Sequence, residues 1–209
     1  MLRFIPNILT FGRLVLTVIF LIMVLFCGGV ENKTSFLTIA FVLFVVAGIT
    51  DILDGKVARK LRVTSKFGRM LDPLVDKILV CGAFVTFALI GEPKLFGLAK
   101  MPLAIIHWAV AAILISREVY VTTLRHIAEA KGINFAATAS GKFKMFLQSF
   151  AIGTVIIKMA YVPLATWGYW FTTVVYAAMI VSTVISGIRA TQRKSWKNCV
   201  ESADDSDVS

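Results

Sequence analysis

The sequence predicts an all-α integral membrane protein with six transmembrane helices, and three observations carry that prediction. Of the 209 residues, 58% are hydrophobic and 16% charged, with a mean hydropathy of +0.83. Soluble domains lie nearer half apolar and about a quarter charged. Apolar windows of about 20 residues, the length that crosses a bilayer as a helix, occur six times. The connections between these windows alternate between basic and nearly uncharged. Strands do not fit, because the apolar runs are long and lack period-two alternation, and a membrane backbone must satisfy its own hydrogen bonds.

The first span runs from Ile8 to Cys27. Arg3 and Arg13 precede the run Leu14 to Val30 in the manner of a signal peptide, but no A-x-A site follows. Phe26 also stands where a lipoprotein signal needs a small residue, so the span is read as uncleaved. The second and third spans, Phe36 to Ala58 and Met70 to Ile90, are joined by a short basic connection that brings their ends together. Asp72 and Pro73 fit as cap and first residue if the third helix begins there, a boundary that the sequence leaves open. The remaining spans are Met101 to Leu124, Phe143 to Tyr161 and Leu164 to Ile188. His107 and Trp108, toward the outer end of the fourth, read as interface anchors.

Lys33, Lys94, Lys100 and Lys158 are the basic residues of one set of connections. The others cluster at the amino terminus, around Lys56 to Lys77, in Arg117 to Lys144 and in Arg189 to Lys197. The positive-inside rule then puts both termini and the two rich connections in the cytoplasm. The net charge of +10 is thus topological, and spreading it between apolar runs argues against a nucleic-acid partner. Cys27, Cys81 and Cys199 form neither a disulfide framework nor a thiolate metal site. With no internal repeat, residues 1–198 read as one catalytic domain and 199–209 as a disordered acidic tail. The absence of an Arg-rich, Ser-rich transit segment favours a bacterial inner membrane.

Four aspartates stand out. Asp51 and Asp54 are three residues apart, and Asp72 and Asp76 four apart, so on helices each pair shares a face. Gathered at the membrane edge, four acids repel one another unless cations lie among them. Carboxylates without His or Cys suit a hard divalent ion, Mg²⁺, Mn²⁺ or Ca²⁺, of which Mg²⁺ holds substrate phosphates well, and four of them suit a pair. Gly55, Ala58 and Gly68 let a nucleotide or a neighbouring helix approach closely, and Arg59 has the donor fork for a phosphate.

The full spacing D-x2-D-G-x2-A-R-x8-G-x3-D-x3-D, filled by Asp51, Asp54, Gly55, Ala58, Arg59, Gly68, Asp72 and Asp76, resembles the signature of the CDP-alcohol phosphotransferase family. The resemblance implies a six-helix membrane enzyme, usually a homodimer, that moves a phosphatidyl or similar unit from a CDP-linked donor to an alcohol and releases CMP. It implies that Asp51, Asp54, Asp72 and Asp76 surround the metals, that Asp76 is also the base, and that Gly55, Ala58, Arg59 and Gly68 shape the CDP pocket with Asp51. Attack by the alcohol is expected to be direct, since no His or Cys nucleophile accompanies the motif.

Three further stretches resemble the branch that uses CDP-diacylglycerol and glycerol 3-phosphate. They are Ile5 to Arg13 (IPNILTFGR), Ser116 to Val119 (SREV) and Gly141 to Lys144 (GKFK). Asn7 and Thr10 then approach the cytidine, although Pro6-Asn7 is equally a helix-start signal. Arg117, Arg125, Lys142 and Lys144 are the candidates for holding the acceptor's phosphate, with an internal Arg117–Glu118 pair as the competing arrangement. Met145 stands where that branch commonly has Thr, which leaves phosphatidylglycerol, inositol phosphate and serine as alternative acceptors. A cation transporter is the remaining class, but it calls for mid-bilayer acids and broken helices across a repeat, neither of which the sequence contains.

Overall fold

In a computed structural model of the protein, the backbone is described for residues 5–61, 66–95, 98–130 and 139–192. Side chains are described within 10–50, 74–95, 98–128 and 141–192. Six long helices follow one another: α1 (Ile5–Phe26), α2 (Lys33–Leu61), α3 (Lys66–Ile90), α4 (Lys100–Ala130), α5 (Ala139–Tyr161) and α6 (Thr166–Thr191), with a 3₁₀ turn at Cys27–Gly29. No strand occurs among the described residues. Each predicted span lies within one helix to within a few residues at either end. The helices extend furthest at the basic connections, where charged residues continue the backbone pattern beyond the apolar window.

Among the described residues, five helices hold a stretch long and apolar enough to cross a membrane: α1, α2, α4, α5 and α6. In α3, Lys66, Arg69, Asp72, Asp76 and Lys77 fall in the first half of the helix, and side chains are described from Leu74 onward. It packs against α1, α4 and α5, and Val75, Leu79, Ala83, Phe84 and Phe87 are buried along it. A helix enclosed in this way tolerates charges that lipid would exclude. α5 is the other inner helix: 61% of its span is buried, against 22% for α2 and α4. The remaining helices turn Phe11, Ile22, Ile105 and Val174 outward, an exposure that suits lipid and not water.

The core is layered by aromatic contacts. Phe20 of α1 lies 5.4 Å from Phe44 of α2, and Phe84 of α3 meets Tyr176 of α6 edge-on at 5.8 Å. α3 lies close against α1 at Gly82, where an added Cβ would lie 2.7 Å from Leu21 Cδ1, the small-residue packing common between membrane helices. Buried threonines return their hydroxyls to their own helix, Thr172 to the Gly168 carbonyl and Thr183 to Met179.

One boundary left open by the sequence is fixed, and one expectation is corrected. α3 starts at Lys66, so Pro73 is an interior residue and Asp72 does not cap the helix. Proline removes a single backbone donor there, a loss that membrane helices accommodate. His107 is buried, with Nε2 3.1 Å from the Pro93 carbonyl oxygen. It fastens the loop after α3 and is not an interface anchor, whereas Trp108 is exposed as expected. The proposed tail lies outside the described residues.

Candidate functional site

The start of α1, the end of α2, the start of α3, the end of α4, the start of α5 and the end of α6 all carry the basic clusters, and among the described residues side chains link α1, α3, α4, α5 and α6 there. Arg13 of α1 lies on the buried stripe Thr10, Arg13, Thr17, Phe20 and Val24. A guanidinium in such a stripe needs a counter-charge, and Arg13 Nη2 donates to Asp76 Oδ1 of α3 at 2.6 Å. Only 2% of the Arg13 side chain is exposed, against 27% for Asp76, so the acid faces an opening and the base does not. One residue on, Lys77 Nζ donates to Thr122 Oγ1 of α4 at 2.5 Å.

The other predicted residues fall into three groups. Asp51, Asp54, Gly55, Ala58 and Arg59 lie in the last turns of α2, and Gly68 and Asp72 in the first turns of α3. Helical backbone keeps each acid pair on one face, but these side chains lie outside the described residues, as does that of Asn7. Among the described residues there is accordingly no group of three or more His, Cys, Asp or Glu side chains that could hold a metal. Thr10 is buried in α1.

A second cluster joins α4, α5 and α6. Arg117 Nη1 donates to Glu118 Oε1 at 3.1 Å, and its Nη2 to Ser186 Oγ of α6 at 2.6 Å. Lys144 of α5 donates to the same Glu118 oxygen. The Arg117 Nε is buried with no hydrogen-bond partner, as is Gln148 Nε2, one turn beyond Lys144. The internal Arg117–Glu118 pair weighed from sequence is therefore present, and it also draws in Lys144. Arg125 and Lys142 are exposed, Arg125 two turns beyond Arg117 and Lys142 two residues before Lys144.

Arg13, Lys77, Glu118 and Ser186 are the site residues that sequence reasoning did not assign. For Arg13 a signal existed: it occupies the same helical register as Phe20 and Val24, so the buried face of α1 includes it.

A membrane bundle with paired acids and partly unsatisfied buried cations at one end suits the handling of phosphate groups. The profile of the CDP-alcohol phosphatidyltransferase family matches residues 3–186. The chain belongs to that family and is a multi-pass membrane transferase.

Its relatives narrow the comparison. It is 32% identical over 182 residues to the probable phosphatidylglycerophosphate synthase of Mycobacterium tuberculosis H37Rv, covering 87% of this chain and 77% of that protein. It is 34% identical over 185 residues to the CDP-diacylglycerol–glycerol-3-phosphate 3-phosphatidyltransferase of Bacillus subtilis 168, covering 81% and 89%. The Rickettsia typhi protein of the same name is 30% identical over 152 residues, covering 73% and 75%.

Proposed function

We propose that this enzyme transfers the phosphatidyl group of CDP-diacylglycerol to glycerol 3-phosphate, giving phosphatidylglycerophosphate and CMP. The observation that carries the reading is the Arg117–Glu118–Lys144 cluster, which gathers phosphate-binding side chains at the end of the bundle that also carries Asp76. The names of the relatives support the same donor and acceptor.

Asp51, Asp54, Asp72 and Asp76 would hold Mg²⁺ or Mn²⁺, as a pair. The donor set fits: it is carboxylate oxygen throughout, and Asp76 keeps an exposed edge while Arg13 fixes one of its oxygens. When bound, such ions neutralise a diphosphate. Asp76 accepts the proton of the attacking hydroxyl, and Arg13 holds that carboxylate in place. Arg117 and Lys144 bind the acceptor's phosphate, and Arg125 and Lys142 add positive charge on its approach. Gly55, Ala58, Arg59 and Gly68 shape the CDP pocket, with Asn7 and Thr10 beside the cytidine. Transfer then rests mainly on positioning, by direct attack. The reading includes α3 as the sixth span, a homodimer, and a bacterial inner membrane with the basic end in the cytoplasm.

The test supplies membranes containing the protein with CDP-diacylglycerol, Mg²⁺ and one acceptor at a time, measuring CMP and lipid product. Turnover with glycerol 3-phosphate is expected. Turnover only with phosphatidylglycerol, inositol phosphate or serine would replace the acceptor and keep the donor chemistry.

A further inference from the structure

We propose that Glu118 is a positioning and specificity residue for the acceptor, holding Arg117 and Lys144 at one point and setting the charge they present. The inference rests on the reading that these two cations bind the acceptor's phosphate.

Arg117 and Lys144 come from different helices, and 13% and 3% of their side chains are exposed. Two cations buried this deeply repel each other across a poorly screened interior. The side chain seen to counter both is Glu118, whose Oε1 accepts from each. The three formal charges sum to one positive. An uncharged alcohol therefore gains nothing from the cluster, whereas a phosphate monoester of charge about −1.5 to −2 is attracted by its net positive charge and more than offsets it.

The geometry also shows where the phosphate would bind. Glu118 and Ser186 engage the two terminal nitrogens of Arg117, while its Nε stays buried without an acceptor. Gln148, on the same helix face as Lys144, offers a second unmatched donor. Arg117 Cγ passes 3.5 Å from the position a Cβ would take at Gly187, so the arginine stem is confined on that side. Glu118 itself lines a groove of about 380 Å³ between α3 and α4, together with Lys77 and Thr122.

The experiment compares wild type, Glu118→Gln and Glu118→Asp in detergent micelles with CDP-diacylglycerol and Mg²⁺, separating KM from kcat for each substrate. In Glu118→Gln the KM for glycerol 3-phosphate should rise roughly 10-fold or more, the scale seen when a residue orienting a binding group is lost. The KM for CDP-diacylglycerol should stay within about twofold, and Glu118→Asp should recover much of the acceptor KM. In a Lys144→Met background the same Glu118→Gln change should have a smaller effect, because the cation it positions is gone. Equal increases in both KM values, a fall in kcat alone, or an unchanged acceptor KM would overturn the inference. If Glu118→Gln does not fold, Glu118→Asp decides: a severalfold rise in the acceptor KM with the CDP-diacylglycerol KM within about twofold is expected, and equal rises in both KM values would overturn the role. Wild-type inactivity with glycerol 3-phosphate would instead defeat the functional reading, which separates the two failures.

Discussion

Lys144 and Lys158 lie on the same helix, 14 residues apart, and are buried to nearly the same extent, 3% and 4% exposed. They are about 21 Å from each other along α5, and the bundle neutralises them differently. Lys158 donates to the Lys94 backbone carbonyl at 2.5 Å and sits 4.2 Å from the centre of the Tyr169 ring. Its neighbourhood is fastened in the same manner, by His107 on the Pro93 carbonyl, Thr34 on the Ala160 carbonyl, and Thr38 with the Tyr161 hydroxyl. Lys144 instead meets a carboxylate that it shares with Arg117. Main-chain carbonyls and rings fix a structure and cannot be exchanged for a ligand. Side-chain ion pairs with unmatched donors beside them can reorganise around one. The comparison separates an end that holds the fold from an end that works.

The largest effect that would break this division is expected at Asp76. Asp76→Asn keeps an oxygen for Arg13 and should leave folding largely intact while lowering kcat by roughly 10²- to 10⁴-fold. Near-normal turnover of CDP-diacylglycerol would remove Asp76 as the base. Next, Arg117→Ala should raise the acceptor KM by roughly 10- to 100-fold, the loss of a charge-assisted hydrogen bond; a matching rise for the liponucleotide would contradict its role. Lys158→Met should shift the thermal midpoint downward, by about 1–3 kcal/mol of stability, and leave both KM values near wild type. An altered KM would place the opposite end in substrate binding. The smallest effect belongs to Arg125→Ala and Lys142→Ala: with exposed side chains, each should change acceptor KM by only about twofold, most visibly at low salt.

The helices were legible because lipid imposes length and apolarity directly on sequence, and each apolar window counted between Ile8 and Ile188 falls on one long helix of the described backbone. The acid pairs were legible because spacing survives in any helix. The partners were not. Arg13 and Asp76 are 63 residues apart, and their meeting depends on how α1 packs against α3, which Gly82 permits and no local pattern announces. Glu118 was visible as a neighbour of Arg117, but its bond to Lys144 requires long side chains of α4 and α5 to reach each other at that depth. His107 was misread because a histidine near a membrane edge reads as an anchor, while its actual partner, the Pro93 carbonyl, belongs to a loop whose path sequence does not specify. The start of α3 stayed open because a proline beside an aspartate has the look of a helix start, while the apolar window already reaches back to Met70.

The most direct test of the division between the two ends is ligand-induced stabilisation of the purified protein in Mg²⁺-containing buffer, with glycerol 3-phosphate and with glycerol, for wild type, Arg117→Ala and Lys158→Met. Wild type and Lys158→Met should show a saturable rise in thermal midpoint with glycerol 3-phosphate and none with glycerol, and Arg117→Ala should lose the rise. Equal responses to the two ligands, or a full response in Arg117→Ala, would contradict the assignment of the phosphate to the Arg117–Glu118–Lys144 cluster.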